Sequence, residues 1–283
     1  MQFLDYPIQD INYENAKVVI TPVPFEASVS YGKGTAGGPS AILEASSQVE
    51  LFDTFFKREC SAGEIYTTSE IDTISGYPQM AETLKNHVVK LLSDNKFPVI
   101  LGGEHALSIP VAEAFFSRYP EGTIIHFDAH ADLRHEYNAN PYSHACTLKR
   151  IWELGCPTIS IGIRSMSREE WDFAIQQNII LLSPEDTTFW ESLRITLADK
   201  SGPAWLTFDV DGMDPSIMPA TGTPEPGGFS WDETMRILMI LSQSHLQFAG
   251  CDVVEFAPIN GFHAADFTMA KLVYRIILAL AIH

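Results

Sequence analysis

Nearly continuous apolar runs alternate along the chain with longer stretches in which apolar side chains recur every three or four positions. The short runs predict strands over Val18–Pro22, Val99–Leu101, Thr123–Phe127, Thr158–Gly162, Ile179–Leu182, Trp205–Phe208 and Gln247–Val253. Several lack the in-and-out alternation of a half-exposed strand and read as parallel strands buried on both faces. The longer stretches predict helices over approximately Pro39–Leu51, Met80–Ser93, Leu107–Tyr119, Thr147–Leu154, Arg168–Gln177, Trp231–Ser242 and Phe267–Ala281. Ser167 with Glu170, and Ser230 with Glu233, have the spacing of capping boxes, in which the Ser side chain caps the helix and the Glu reaches back. Alternating strands and helices imply crossover connections and a parallel sheet. The expected fold class is therefore α/β, a three-layer arrangement with a predominantly parallel β-sheet and helices on both faces. No linker, repeat or low-complexity segment interrupts the chain, and residues 1–283 are expected to form a single domain.

Composition narrows the class. The chain is 46% hydrophobic and 19% charged, enough apolar material for a large core. The N-terminus lacks the basic start and apolar centre of a signal peptide. The apolar stretch from Ile276 to Ile282 falls far short of the ~20 residues of a membrane span. Cys60, Cys146, Cys156 and Cys251 are scattered without a CxxC pair, as reduced thiols of a cytoplasmic protein would be. Thirty-six Asp and Glu against 18 Lys and Arg give a net charge of −18, which argues against nucleic acid as a partner. A field of that sign attracts cations, either metal ions or a positively charged substrate.

In open α/β sheets, sites form beyond the carboxyl ends of the strands, and the unusual residues fall there. The run Thr123–Phe127 leads directly into Asp128-Ala-His130-Ala-Asp132, whose polar side chains at i, i+2 and i+4 point the same way in an extended segment. Asp209-Val-Asp211 follows Trp205–Phe208, and Gly102-Gly-Glu-His105 follows Val99–Leu101. An isolated DxD is usually a solvated or capping pair, and an isolated His after a Gly turn is usually structural. Three such pieces at three strand ends point instead to one centre, because buried ligand-type side chains are costly without a cation. A catalytic zinc usually takes three protein ligands and a water. His105, Asp128, His130, Asp132, Asp209 and Asp211 are too many for that. Four carboxylates and two imidazoles suit two divalent cations, with Mn2+ the natural candidate for an oxygen-rich set, although such a cage can also accept Co2+, Ni2+ or Fe2+. Two of the Asp residues can bridge, and ions in such sites stand about 3.5–4 Å apart.

GGEHALS (102–108), HFDAHADLR (126–134), SHAC (143–146), IGIRS (161–165), TFDVDGMDPSIMPATGTPEPGG (207–228) and VEFAP (254–258) resemble the ureohydrolase (arginase/agmatinase) family, most closely the agmatinases. With PFEASVSYGKGTAGGP (24–39), the resemblance covers nearly the whole chain in order. It implies an arginase-like fold and hydrolysis of a guanidino group, converting agmatine to putrescine and urea through a metal-bridging hydroxide, a step of polyamine biosynthesis. Position by position, it places one Mn2+ on His105, Asp128, Asp132 and Asp209. It places the other on His130, Asp128, Asp209 and Asp211, so that Asp128 and Asp209 bridge. His144 falls at the family's proton-shuttle position, which suits an imidazole. Glu255 matches the carboxylate that receives the substrate guanidinium in a bidentate pair, and Glu225 can help to shape the pocket. Relatives of this kind usually form trimers or hexamers, so a homo-oligomer is expected.

Arginases carry an Asn-containing run after DxHxD and an acidic residue soon after the GxR turn. Here those stretches read Leu133-Arg134-His135-Glu136 and Ser165-Met166-Ser167, which favours a decarboxylated substrate. Guanidinobutyrate and arginine remain alternatives within the family. A single-zinc deacetylase of related architecture, and a metal-binding relative without turnover, are the alternatives outside this activity. The stretch from Ile259-Asn260-Gly261 to Asp266 departs from the relatives' pattern. Tyr137 and Tyr142 flank the His144 loop and are candidates for the entrance. His126 reads as a satisfied core histidine, and His87, His245, His263 and His283 carry no pattern.

Overall fold

The structure, a computed structural model, describes every residue except Ile8, Asp10 and His283. His283 therefore lies outside the described residues. Strands and helices alternate as β1 (Val18–Val23), α1 (Gly38–Ser46), β2 (Ile65–Thr67), α2 (Tyr77–Ser93), β3 (Phe97–Gly102), α3 (Ser108–Arg118), β4 (Thr123–Phe127) and α4 (Thr147–Glu153). The second half continues with β5 (Thr158–Ile161), α5 (Arg168–Gln177), β6 (Ile180–Leu182), α6 (Phe189–Ala198), β7 (Ser201–Asp209), α7 (Trp231–Ser242), β8 (His245–Val254) and α8 (His263–Leu280). The strands form one eight-stranded sheet in the order β2-β1-β3-β8-β7-β4-β5-β6, with every pair parallel.

The two-residue period of a strand sends alternate side chains to opposite faces, and two cores result. Val99 and Leu101 of β3, Ile125 and Phe127 of β4, and Leu206 and Phe208 of β7 pack with Ile42, Leu193, Leu238 and Leu272 from α1, α6, α7 and α8. Their neighbours Ile100, Ile124 and Trp205 face the other way, onto Leu84, Val111 and Ile151 of α2, α3 and α4. Strands sandwiched in this way must be apolar on both faces, which is why β1, β3 and β4 read as unbroken buried runs. Helix α8 is apolar nearly all round and is buried from Leu272 to Leu280 except for Arg275.

Both capping boxes form, at Ser167–Glu170 and Ser230–Glu233. Two elements were not predicted. Strand β2 is three residues long at the sheet edge, too short to show a period. Helix α6 does carry a signal, since its buried Phe189, Leu193 and Leu197 recur every four residues. Helix α1 ends at Ser46, short of the predicted Leu51, and α8 starts at His263 rather than Phe267. Among the described residues, no helix is long and apolar enough to cross a membrane.

The strand order sets the site. The chain starts at β1, takes β2 to one edge and returns to β3 on the inner side of β1. It then restarts at β4 on the far side of the gap that β7 and β8 fill and builds outward to β6. The carboxyl ends of β3, β8, β7 and β4 are consequently neighbours. Close packing at this end requires glycine at Gly103, where a Cβ would stand 2.0 Å from the carbonyl oxygen of Phe25 in the loop after β1, and at Gly212, where it would meet the Phe127 ring of β4 at 2.4 Å.

The segment after α1 is tied to α8 through a buried carboxylate. Asp53 accepts from the Phe55 and Phe56 backbone N–H groups at 3.0 and 2.9 Å and pairs with Lys271 and Arg275 at 2.8 and 2.9 Å. Burial alone would raise its pKa, but these partners outweigh it and hold the carboxyl down at about 2. A depressed carboxylate contributes its stability above its ordinary value near 3.8 and loses it as pH falls toward 2. Asp53→Asn is expected to cost about 3 kcal/mol at pH 7 in urea unfolding, with the gap to the parent closing below pH 3.8.

Candidate metal centre

All six predicted ligand-type residues meet at the carboxyl ends of the central strands. His105 follows β3, Asp128, His130 and Asp132 follow β4, and Asp209 and Asp211 stand at the end of β7. Asp132 takes a left-handed conformation (φ 51°), which ends the extended stretch and turns the chain away. Five of the six are almost wholly buried, and His130 is partly exposed on the cleft side.

His105 Nδ1 lies 3.1 Å from Asp128 Oδ2, 3.3 Å from Asp132 Oδ2 and 3.2 Å from Asp209 Oδ2. None of these contacts has the direction of a hydrogen bond, and Nδ1 is left without a partner among the described residues. Donors about 2.0–2.2 Å from a shared ion stand about 3 Å from one another, so proximity without hydrogen-bond geometry is what a cation site requires. His130 Nδ1 stands 3.0 Å from Asp211 Oδ2 and 3.5 Å from Asp128 Oδ1. Asp128 thus offers one oxygen to each imidazole. The donor atoms of Asp128, His130 and Asp211 gather into one group, and those of His105, His126, Asp128 and Asp132 into another.

His126 competes with Asp209 for a place in that second group. Its Nε2 is bonded to Asp128 Oδ2 at 2.9 Å and its Nδ1 to Ser160 at 3.1 Å, so both ring nitrogens are occupied. Asp209 lines the cleft and His126 does not. Asp209 is the better candidate to hold an ion. His126 is a satisfied core histidine, as its sequence suggested, but the group that satisfies it is Asp128.

The proton positions on His105 follow from its other nitrogen. Nε2 stands 2.9 Å from Thr207 Oγ1, and that hydroxyl donates to Asp252 Oδ1 at 2.6 Å. Ser108 Oγ and Trp205 Nε1 also donate to Asp252, both at 2.7 Å. With its proton committed to the carboxylate, Thr207 accepts from Nε2–H, which leaves the Nδ1 lone pair facing the three Asp oxygens. The donor set thus fits a divalent cation.

Electrostatics agree. Burial first, then repulsion from Asp211 and Asp128, raises the Asp209 pKa well above its ordinary value. Burial opposes charge on His130, yet Asp211 and Asp128 outweigh it and raise that imidazole to about 12. Without metal, protons must supply the positive charge that these carboxylates demand.

The centre opens into a cleft of about 270 Å3. His144 and Glu255, the two predicted catalytic residues, both line it. Glu255 follows β8 in a left-handed conformation (φ 63°) and accepts from the His105 backbone N–H at 2.7 Å. Burial pushes its pKa up to about 8. Tyr137 also lines the cleft, its ring 5.8 Å from that of His144, whereas Tyr142 stacks on Tyr77 outside it. Glu225 gives its carbonyl to Arg164, and its side chain is not part of the lining; Thr223 is.

Several residues that support the centre were not singled out in the sequence. Thr207 sits two positions before Asp209, as His126 does before Asp128, so strand periodicity marked both. Asp252 is a lone acid in an apolar strand, itself a sign of a buried role. Arg164 donates to the carbonyls of Gly162, Asp211 and Glu225, pinning the loop after β7 to the loop after β5. Only its place in the IGIRS segment pointed to it.

A parallel α/β sheet with a carboxylate–imidazole centre at its switch point is the arrangement that the resemblance to the ureohydrolases implies. Residues 16–279 match the arginase family, and the chain belongs to it. It is 36% identical over 277 residues to an N(1)-aminopropylagmatine ureohydrolase of Synechocystis sp., covering 94% of this chain and 89% of that protein. It is 35% identical over 250 residues to an agmatinase of Halalkalibacterium halodurans, covering 87% and 86%. The crystal structure of agmatine ureohydrolase of Thermoplasma volcanium superposes with a TM-score of 0.87 at 30% identity, covering 96% of this chain and 93% of that one.

If Thr207 fixes the His105 tautomer, Thr207→Val should weaken divalent-metal binding about 10-fold, read by competition with a chromophoric chelator. Unchanged affinity would remove the Thr207–Asp252 pair from the account.

Proposed function

We propose that the protein hydrolyses the guanidino group of agmatine, releasing urea and putrescine. The observation that carries this reading is the placement of Glu255 and His144 in the cleft beside the carboxylate–imidazole centre. His105, Asp128, Asp132 and Asp209 would hold one divalent ion and His130, Asp128, Asp209 and Asp211 the other, with Mn2+ suited to the oxygen-rich set. When bound, the ions supply Lewis acidity and lower the pKa of water toward neutrality.

The chain's own residues do the rest. The Glu255 carboxylate receives two N–H groups of the planar guanidinium and turns its carbon toward the centre. A guanidinium there also supplies the charge that keeps buried Glu255 ionised. Water adds to the guanidinium carbon, and the C–N bond to the alkyl chain breaks with its electron pair on nitrogen. His144 delivers the proton that this nitrogen needs to leave as an amine. The water gives up both its protons: one replaces that of His144, the other turns the amine into an ammonium, and the oxygen stays in urea. The acidic surface favours a cationic substrate, and an excess of acid remains after the four cage carboxylates are neutralised.

N(1)-aminopropylagmatine is a second reading, favoured by the Synechocystis relative. Both substrates present the same guanidino end to Glu255 and differ in the amine beyond it. No acidic residue stands at Ser165-Met166-Ser167, the part of the cleft wall where arginine's amino group would need one.

The test is urea release by the Mn2+-loaded protein from agmatine, N(1)-aminopropylagmatine, guanidinobutyrate and arginine in parallel. Agmatine should be turned over, and Asp128→Asn should abolish the activity. Preference for another of the four overturns the substrate. No urea from any of them, with metal bound, overturns the reaction.

A further inference from the structure

A second buried carboxylate stands behind His144. Glu104, at the turn between β3 and α3, accepts from the backbone N–H groups of Ala27 and Ser28, both at 2.6 Å, through Oε2. Its other oxygen, Oε1, accepts from the Ser28 hydroxyl at 2.7 Å. Ser28 Oγ in turn accepts from the His144 backbone N–H at 3.0 Å and lies 3.2 Å from His144 Nδ1.

A hydroxyl has one proton and two lone pairs. The proton of Ser28 is committed to a carboxylate whose remaining contacts are both backbone donors. One lone pair is committed to the His144 N–H. What faces Nδ1 is therefore the second lone pair, which attracts an N–H and repels a nitrogen lone pair. Ser143 Oγ, 3.3 Å from the same nitrogen, can turn its proton away and accept as well.

We propose that Ser28 is a positioning residue that fixes the tautomer of His144, keeping hydrogen on Nδ1 and assigning proton exchange with the substrate to Nε2, the nitrogen left for the cleft. The inference rests on His144 being the proton donor of the reaction proposed above. It adds the atom through which His144 acts and the group that dictates it. Once His144 has given up its Nε2 proton, the neutral ring has two tautomers, and only Nδ1–H leaves Nε2 ready to be protonated again. The same hydroxyl accepts from Nδ1–H in the imidazolium, so it holds the ring in one orientation through both halves of the cycle.

The experiment compares Ser28→Ala, Ser28→Thr, His144→Asn and the Ser28→Ala/His144→Asn double variant of the full chain, each loaded with Mn2+, with metal content and melting temperature recorded. Ser28→Ala is expected to lower kcat about 10- to 100-fold with KM within about 2-fold, a partial loss of general acid–base catalysis. Ser28→Thr, which keeps the hydroxyl, should restore most of the rate. In the His144→Asn background, removal of Ser28 should change nothing further, because a residue acting only through His144 has no effect once His144 is gone. An equal loss in both backgrounds would make Ser28 a structural residue and overturn the proposal, as would an unchanged kcat in Ser28→Ala. Should Ser28→Ala lose metal or melt early, Ser28→Cys, of similar size but a weak acceptor, carries the same comparison. Full activity in His144→Asn would instead remove His144 from the reaction, a separate failure from that of Ser28.

Discussion

Four carboxylates share one largely buried place at the switch point of the sheet, and that concentration of like charge is the constraint to which the surrounding structure answers. Left alone, such groups cannot all ionise, and burial makes the penalty worse. With no cation present, the Asp209 carboxyl is pushed up and the His130 imidazole is raised far above its usual range, two expressions of the same demand for positive charge. The strand order meets the geometric half of the problem by setting the ends of β3, β8, β7 and β4 side by side. Divalent ions held there would meet the electrostatic half. The sheet stabilises the strand ends through apolar packing on both faces, and that packing in turn bears the cost of holding the acids together.

Around this centre, one device occurs twice. Thr207 gives its proton to buried Asp252 and so must accept from His105; Ser28 gives its proton to Glu104 and so must accept from His144. In each case a carboxylate too deep to meet substrate determines which nitrogen of an imidazole is free. The two chains differ in where the free nitrogen points. On His105 it points into the carboxylate cluster, and on His144 it is left for the cleft. A histidine without such a partner would divide its population between tautomers, and part of the protein at any moment would be wrongly set for its task.

Most of the architecture was legible because buried parallel strands and amphipathic helices have distinct periods. Both capping boxes and seven of the eight strands stood in the sequence within a few residues of their observed positions. Strand β2 was hidden because three edge residues carry no period, whereas α6 was overlooked although Phe189, Leu193 and Leu197 marked it. The six ligand-type residues stood out because DxHxD and DxD repeat a strand's alternation at its end. The residues behind them did not. Glu104 and Ser28 are far apart in sequence, as are Thr207 and Asp252, so each partnership exists only once the strands are side by side. Arg164 is similar, since nothing in a single arginine shows that it will bind carbonyls of two other loops.

The cleft has two walls of different origin. Its floor is built from strand ends that the sheet holds rigidly, while Arg134, Tyr137, Met166, Ser167 and Thr223 of its outer wall stand on the loops after β4, β5 and β7. With Glu255 receiving the guanidinium as proposed above, the floor would meet what all guanidino compounds share, and the wall whatever distinguishes one from another. Mutations in the wall can therefore explore new partners for the reaction without disturbing the machinery that performs it. A lineage built on this plan can diversify its diet one loop at a time while its chemistry stays fixed, and closely related sequences are then poor guides to one another's substrates.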